Sequence, residues 1–458
     1  MGSTFTERRR RISLLGWPSD VISIDPKPNH RRRHPRPSPV HTVLFWVPGN
    51  PGQHDWYNSG FMDVLSGLGQ GYAVRSVSHA GHGFLGKSNR DHDGSNDNFI
   101  TDVEDHCHLR GKKHGSGSVS PIVPWTVEGQ VLHKIAYFDR LLSSIAEENR
   151  QRQIQRENHH TYQGQCSCEF MPDLKFILIG HSFGCHVIQR MCVLRPDILE
   201  RISGFLFLMP YIRTKPSVAI DQRTLEFGAS RSELLIALST KITQALRFFP
   251  HPAFQSVIRK GLQIDSGDSG GAENEIIAKI TAKLLRNPVY PRNFFELGTE
   301  EIRDIPNEID IAALRLLSSH RSSLPQSTTM DSDRQLERPR KQQEHRRIFI
   351  LYAGDNDQWS PAFHGEEIKA FQSANLLPPS IKTTKIPGLR HDYVCQNRLV
   401  RSKVNDWIIS NILEMKIGIA PRTKAADRRS ESRTILHEGF DVGSPRPRPT
   451  STMLPSKL

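Results

Sequence analysis

Short apolar runs, each bounded by turn residues, recur along two parts of the chain. "TVLFWV", "YAVRSVS" and "KFILI" in the first part, followed by "GFLFLMP", and "RRIFILYAG" and "IKTTKIPG" in the second, each predict a strand. Between them, apolar residues return every three or four positions, as at Val131, Ile135 and Phe138, and predict helices. Strands that alternate with helices predict an α/β fold, in which a mostly parallel central sheet is covered by helices on both faces.

Changes in composition divide the chain into six segments. They are a disordered basic segment at 1–40, the first part of the α/β core at 41–212, a helical lid insertion at 213–320, a disordered linker at 321–345, the second part of the core at 346–415 and a disordered basic tail at 416–458. Polar insertions are expected within the first part of the core at about 87–121 and 147–170. In the helical insertion, one apolar stripe predicts the inner face of a lid; its members are Leu235, Leu238, Ile242, Leu246 and Phe249.

The positive charge of the chain is concentrated near its two ends. The net charge is +13, of which residues 1–40 contribute +6 and residues 416–458 contribute +5, so the part between them is close to neutral. A nucleic-acid enzyme usually carries its basic surface on the folded domain. The charge distribution therefore indicates solvated tails and excludes nucleic acid as the expected partner.

The cysteines and the apolar runs bear on the compartment and on metal binding. Six cysteines at irregular spacing favour reduced thiols in an intracellular protein over a disulfide framework. No apolar run approaches the length of a membrane-spanning helix, and no secretory leader is recognised. "HAGH", "DVEDHCHL" and "QCSC" each lack a second ligand pair in register, so neither a metal site nor a cofactor is predicted.

The stretch "KFILIGHSFGCHVIQRM" places Ser182 where an apolar run meets a helical pattern. Gly180 and Gly184 lie two residues before and two residues after it, with His181 completing the first half of the turn. A strained strand-to-helix turn needs small residues at those two positions, because side chains there would crowd the turn. The motif alone also fits an ordinary turn, so the assignment of Ser182 as a nucleophile depends on its context.

That context is a carboxylate and a histidine that follow later strands. A serine needs a base to accept its proton and an acid to orient that base. His391 follows "IKTTKIPGLR", and both Asp355 and Asp357 lie in "AGDND" after another strand. The spacing G-x-x-D-x-x-x-P favours Asp357 as the acid, with Asp355 as a turn cap, although Asp355 stays an alternative. The order Ser, Asp, His on alternating strands is that of the α/β-hydrolase arrangement.

An ester hydrolase also needs two N–H donors for the developing oxyanion. The backbone of Phe183, directly after the nucleophile, is one candidate. The backbone of Asn50 in the "PGNPG" loop is the other, although that loop also fits an ordinary turn.

The motifs "VPGNPG", "SHAGHG", "EGQVLHKIAYFD", "IGHSFG", "YAGDNDQWSP" and "RHDYV" together resemble the lipid droplet-associated hydrolases, a branch of the α/β-hydrolase superfamily. The resemblance covers about residues 42–210 and 346–412. It implies a serine hydrolase of lipid esters, of the sterol ester or acylglycerol class, with Ser182 as nucleophile, Asp357 as acid and His391 as base. It also implies no cofactor and association with the droplet surface. The helical insertion differs from the family's markedly apolar segment, because charged residues punctuate it.

Two other functions remain open at this stage. An acyl-thioester hydrolase uses the same catalytic machinery on a different substrate. A lipid-droplet surface binding protein with negligible turnover would keep the fold without the activity. Labelling of the serine by a fluorophosphonate separates the second alternative from an enzyme.

The two ends of the chain carry short targeting patterns. Ser456, Lys457 and Leu458 form the S-K-L tripeptide that the peroxisomal import receptor reads, so a peroxisomal location competes with the lipid droplet. "MGSTFT" fits an N-myristoylation pattern at Gly2, and the basic run Arg8 to Arg11 would supply a second membrane signal.

Overall fold

The computed structural model describes the central part of the chain with several gaps. The described residues are 4–27, 40–82, 125–160, 174–210, 231–246, 248–261, 271–287, 289–305, 308–319, 345–354, 357 and 360–417. The polar insertion predicted at about 87–121, nearly all of the linker and nearly all of the C-terminal tail lie outside them.

The described strands form one sheet. They are β1 (Phe5–Leu14), β2 (Trp17–Pro26), β3 (Thr42–Val47), β4 (Tyr72–Val77), β5 (Lys175–His181), β6 (Ile202–Leu208), β7 (Arg347–Tyr352) and β8 (Ile381–Lys385). Within the described residues the order of the strands is β1-β2-β4-β3-β5-β6-β7-β8. The pairs β1–β2 and β2–β4 are antiparallel, and every other neighbouring pair is parallel. The mostly parallel sheet predicted from the sequence is confirmed.

Helices follow most of the strands. They are α1 (Asn58–Leu68), α2 (Val127–His160), α3 (Phe183–Leu194), α4 (Ser232–Leu246), α5 (His251–Gly261), α6 (Gly271–Leu285), α7 (Val289–Asp304), α8 (Ile311–Ser318), α9 (Phe363–Ser373) and α10 (Arg398–Ile417). Helices α4 to α8 lie between β6 and β7, so the predicted insertion is helical where it is described; its action as a lid stays a prediction. None of the helices in the described residues is long and apolar enough to cross a membrane.

Apolar side chains bury both faces of the sheet. All six residues of β3 are buried, which explains its unbroken apolar sequence, since a strand covered on both sides has no polar face. Phe45 points to one side and meets Phe138 of α2, with ring centroids 5.1 Å apart. Trp46 points to the other side and meets Phe61 of α1 at 5.0 Å. The predicted helical cover on both faces is therefore confirmed.

The prediction that residues 1–40 are disordered is wrong for the part that forms β1 and β2. The two strands pair along their whole length, from Phe5 opposite Pro26 to Leu14 opposite Trp17. A two-residue turn joins them, and both of its residues, Leu15 and Gly16, have positive φ, as the tight turns of β-hairpins require. Residues 28–39 lie outside the described residues.

Ion pairs explain why the arginine run in β1 is compatible with a strand. Arg8 Nη2 lies 2.8 Å from Asp25 Oδ2, and Arg11 Nε lies 2.8 Å from Asp20 Oδ1. Arg9 also pairs with carboxylates. Acidic side chains of the same domain thus neutralise most of the positive charge of this arginine run. Less of that charge is left to bind an anionic membrane, which argues against the run as a second membrane signal. Gly2 lies outside the described residues.

Two further predictions concern the predicted insertions. The polar insertion expected at 147–170 is helical as far as His160, because α2 continues and Glu147 pairs with Arg150 at 2.7 Å on its exposed side. Leu238, Ile242 and Phe249 of the predicted apolar stripe are exposed, whereas Leu235 and Leu246 are half-buried. The role of this stripe as the inner face of a lid stays a prediction. Helix α4 packs against α7, and its buried residues lie on the opposite side of the helix.

Candidate active site

Ser182 occupies the sharp turn between β5 and α3. Its backbone has a φ of 52° and a ψ of −122°, a combination that L-residues adopt rarely and at a cost in free energy. Its N–H donates to the carbonyl of Leu208 on β6 at 2.9 Å, and its own carbonyl accepts from Cys185 N–H at 3.0 Å. The turn is therefore held from both sides at the carboxyl end of the sheet.

The two glycines that flank this turn are required by close backbone contacts. A Cβ on Gly180 would lie 2.8 Å from Cys185 Cα in the first turn of α3. A Cβ on Gly184 would lie 2.6 Å from the carbonyl oxygen of Pro48, in the loop after β3. Real Cβ atoms do not come this close to backbone atoms, so the predicted reason for these glycines agrees with the packing.

Three of the predicted site residues form one hydrogen-bonded chain. His391 Nε2 lies 2.7 Å from Ser182 Oγ, and His391 Nδ1 lies 2.9 Å from Asp357 Oδ2. The Asp357 side chain is almost completely buried, whereas that of His391 is about one-fifth exposed. The fold thus brings together residues that lie 209 and 34 positions apart in the chain.

The loop after β7 fixes the carboxylate of Asp357. Its Oδ1 accepts from the backbone N–H of Ser360 at 3.2 Å, and its own N–H donates to the carbonyl of Gly354 at 3.3 Å. Asp355, the alternative acid, lies outside the described residues. Of the two candidates, the described structure places Asp357 against the histidine.

The loop after β3 packs directly on the serine turn. A Cβ on Gly49 would lie 3.0 Å from Ser182 Cβ, so the backbone next to Asn50 approaches the serine closely. Among the described residues, no hydrogen-bond acceptor is found for the backbone N–H of Asn50 or of Phe183. The role of these two N–H groups as an oxyanion hole stays a prediction.

A second hydrogen-bonded chain passes behind the serine and was not foreseen from the sequence. Gly49 N–H donates to Tyr57 Oη at 3.2 Å, and Tyr57 Oη lies 2.6 Å from His181 Nδ1. His181 Nε2 lies 3.0 Å from the backbone carbonyl of His391. Sequence reasoning included His181 in the serine turn but missed Tyr57, because nothing in "HDWYNSG" marks a tyrosine whose partners come from distant loops.

Helix α7 of the insertion lies against the loop that holds Asn50. Asn50 Nδ2 lies 3.5 Å from the carbonyl oxygen of Phe294, and a Cβ on Gly298 would lie 3.7 Å from the same nitrogen. Glu301 of α7 is buried, and its carboxyl group is close enough to the Asn50 side chain to be influenced by it. Burial raises the pKa of Glu301 to about 8, and the polar side chain of Asn50 offsets a smaller part of that rise.

The "HAGH" loop after β4 holds two buried histidines. Burial lowers the pKa of His79 well below its ordinary value and that of His82 to about 3, so both rings are neutral. The His79 ring meets the Phe183 ring edge-on at 5.4 Å. No group of three metal-ligating side chains occurs in the described part of the chain, and "DVEDHCHL" and "QCSC" lie outside it.

The C-terminal tripeptide Ser456, Lys457 and Leu458 lies outside the described residues. Its proposed reading as an import signal therefore rests on the sequence alone.

Several solved structures align with most of this chain at low sequence identity. An epoxide hydrolase from Vigna radiata is 13% identical, with a TM-score of 0.43, and the match covers 89% of this chain and 98% of that one. The thioesterase domain from the curacin biosynthetic pathway is 12% identical, with a TM-score of 0.42, and the match covers 88% of this chain and 99% of that one.

Sequence comparisons identify the family. The lipid droplet-associated hydrolase of Gallus gallus is 22% identical over 382 residues, which cover 81% of this chain and 86% of that protein. The family model described as lipid-droplet associated hydrolase matches residues 40–394. Together with the order of the strands and the serine turn, this match shows that the chain has the α/β-hydrolase fold and belongs to the lipid droplet-associated hydrolase family.

Proposed function

We propose that this protein is a serine hydrolase that cleaves carboxylic esters of lipids, of the sterol ester or acylglycerol class, through an acyl-enzyme. The observation that supports the proposal most directly is the hydrogen-bonded chain of Ser182, His391 and Asp357. Hydrogen bonds alone do not define a nucleophile, but here the serine also occupies the strained turn at the carboxyl end of the sheet.

In this mechanism His391 Nε2 takes the proton of Ser182 as Oγ attacks the ester carbonyl. The N–H groups of Asn50 and Phe183 stabilise the negative charge on the carbonyl oxygen. Asp357 holds the Nδ1–H of His391 and keeps Nε2 free to accept. The imidazolium then protonates the leaving alcohol, and water hydrolyses the acyl-enzyme with His391 again as base. Every step uses side chains and backbone groups of the chain itself.

A lipid substrate class draws support from the family and from the surface of the insertion. Leu234, Leu238 and Ile242 form an exposed apolar stripe on α4, and the turn after that helix exposes 89% of Phe248 and more than half of Phe249. We propose that this apolar surface contacts a lipid droplet or membrane surface, as the family implies. Replacing Phe248 and Phe249 by Ser should weaken flotation with phospholipid-coated triolein droplets. Leu399→Ser, which changes a residue 67% exposed on α10, serves as the control and should leave flotation unchanged.

Active-site labelling tests the enzymatic proposal. A fluorophosphonate probe should modify the wild-type protein at Ser182, and Ser182→Ala should lose both the label and p-nitrophenyl ester hydrolysis, with kcat falling by about four orders of magnitude or more. Ser402→Ala, which removes a hydroxyl on α10 that donates only to the carbonyl of Leu399 in the same helix, should keep both. Unlabelled wild-type protein would favour the surface binding protein, and full ester turnover by a folded Ser182→Ala variant would refute the proposed nucleophile.

The C-terminal S-K-L favours a second candidate, an acyl-thioester hydrolase of the peroxisome. Thioester and ester cleavage use the same catalytic groups, so acyl-CoA and p-nitrophenyl esters of matched chain length must be compared directly. For location, a fluorescent protein fused at the N-terminus leaves the tripeptide free to meet the import receptor. Import that is lost on removing Ser456 to Leu458 would support the peroxisome. Fluorescence that surrounds lipid droplets equally with and without the tripeptide would support a lipid-droplet location.

A further inference from the structure

The hydrogen-bonded chain behind the serine has one possible direction. A backbone N–H can only donate, so Gly49 N–H donates to Tyr57 Oη. A backbone carbonyl can only accept, so His181 Nε2 carries the hydrogen that reaches the carbonyl of His391. A neutral His181 then has a lone pair on Nδ1, which accepts the hydroxyl hydrogen of Tyr57 at 2.6 Å. The backbone N–H of Gly49 at one end of this series of hydrogen bonds and the carbonyl of His391 at the other therefore determine the tautomer of His181 and the rotation of the Tyr57 hydroxyl.

Burial keeps this arrangement in its neutral form. Both Tyr57 and His181 are 5% exposed. The Tyr393 ring covers them edge-on, 5.2 Å from the His181 ring and 6.4 Å from the Tyr57 ring. Burial lowers the pKa of His181 to about 3, with the nearby His391 as the next cause, so His181 does not compete with His391 for a proton near neutrality.

This series of hydrogen bonds connects the three segments on which the proposed reaction depends. Gly49 is next to Asn50, whose N–H is the expected oxyanion donor. His181 is next to Ser182, and the hydrogen bond from its ring ends on the backbone of His391 itself. A shift of any one segment would break a hydrogen bond of the buried Tyr57 or His181, and a buried polar group that loses its partner is unfavourable.

We propose that Tyr57 and His181 are positioning residues, which align the oxyanion loop, the serine and the histidine base through one directed hydrogen-bonded chain. The proposal rests on the proposed function, because alignment of Ser182 and His391 affects a reaction rate only if these two residues carry out the reaction. Catalytic groups displaced by a few tenths of an ångström lose rate while the substrate still binds, so the effect belongs to kcat rather than to KM.

The test measures kcat and KM for p-nitrophenyl esters in Tyr57→Phe, which removes the hydroxyl and keeps the ring. We expect kcat to fall roughly 10- to 100-fold with KM within about twofold of wild type. Tyr352→Phe is the matched control, because it removes another buried tyrosine hydroxyl, one without a hydrogen-bond partner among the described residues. Its kcat should stay within about twofold of wild type.

His181 variants test the hydrogen bonds made by the imidazole of His181. His181→Ala removes both hydrogen bonds, whereas His181→Gln can still donate to the carbonyl of His391, so Gln should recover part of the kcat that Ala loses. In the double variant Tyr57→Phe/His181→Gln, the fold-loss of kcat should be smaller than the product of the two single fold-losses, because both substitutions disrupt the same series of hydrogen bonds.

The outcomes separate this inference from the proposed function. A wild-type protein that is not labelled by fluorophosphonate contradicts the proposed function. A labelled, active wild type whose Tyr57→Phe variant keeps its kcat overturns the positioning role alone. The same holds if Tyr57→Phe and Tyr352→Phe lose kcat and melting temperature to an equal extent, since that result would indicate a general packing defect.

Discussion

Glu301 is a buried carboxyl group next to the oxyanion loop, and its replacement by Gln gives a quantitative prediction. Burial raises the pKa of Glu301 from 4.5 to about 8. Between these two values the folded chain keeps a proton that the unfolded chain has released. Unfolding then loses that proton to solvent, so the free energy of unfolding decreases as the pH rises.

The magnitude follows from the two pKa values. Each pH unit in this interval lowers the free energy of unfolding by about 1.4 kcal/mol, and the whole interval lowers it by about 5 kcal/mol. Glu301→Gln has nearly the same shape as the protonated acid and does not titrate. The variant should therefore match wild type near pH 4.5 and become progressively more stable than wild type up to about pH 8.

Urea unfolding of both proteins at pH 5, 6.5 and 8 measures this difference. Titration of all other groups cancels when the two proteins are compared at the same pH, provided that their m-values agree. A difference that stays constant across the three pH values would refute the reasoning, because it would mean that Glu301 titrates alike in the folded and unfolded chains. A second readout is activity: above about pH 8 the carboxylate next to Asn50 opposes an oxyanion, so wild type should lose kcat there and the variant should keep it.

Three further substitutions test other parts of the structure. Gly184→Ala places a methyl group against the backbone carbonyl oxygens of Val47 and Pro48. We therefore expect the free energy of unfolding in urea to fall by about 2 kcal/mol or more and kcat to fall at least roughly tenfold. Ile22→Ala removes a fully buried side chain of β2 and should cost about 3 kcal/mol, whereas an unstructured N-terminus would show no change. Asp357→Asn should favour the wrong tautomer of His391 and lower kcat by about four orders of magnitude with little change in KM; an unchanged kcat would exclude Asp357 as the acid.

The core strands and the serine turn could be predicted because their signals are local. An apolar run bounded by turn residues predicts a strand covered on both faces, and Gly180 and Gly184 mark a turn whose contacts lie within a few residues or on the next strand. The positions of Asp357 and His391 followed because each lies after a strand, and parallel strands bring their carboxyl ends to one edge of the sheet.

Features that depend on distant partners could not be predicted in the same way. The arginines of β1 resemble a solvated basic tail when read alone, because the carboxylates that neutralise them come from β2 and from the segment before α1. The role of Tyr57 depends on Gly49 and His181, which only the folded sheet places beside it. Glu301 reads as a surface residue of an amphipathic helix until α7 is packed on the loop that carries Asn50.

The N-terminal hairpin has a practical consequence for the behaviour of shortened chains. β2 pairs with β4 from Val21 opposite Val77 to Ile24 opposite Val74. A chain that starts at residue 40 would leave β4 as the outermost strand, and the backbone groups of β4 that now pair with β2 would lose their partners. Exposed edges of this kind recruit strands from other molecules. We therefore expect such a chain to aggregate on expression even though it contains the whole proposed triad, since β1 and β2 no longer cover the edge of β4.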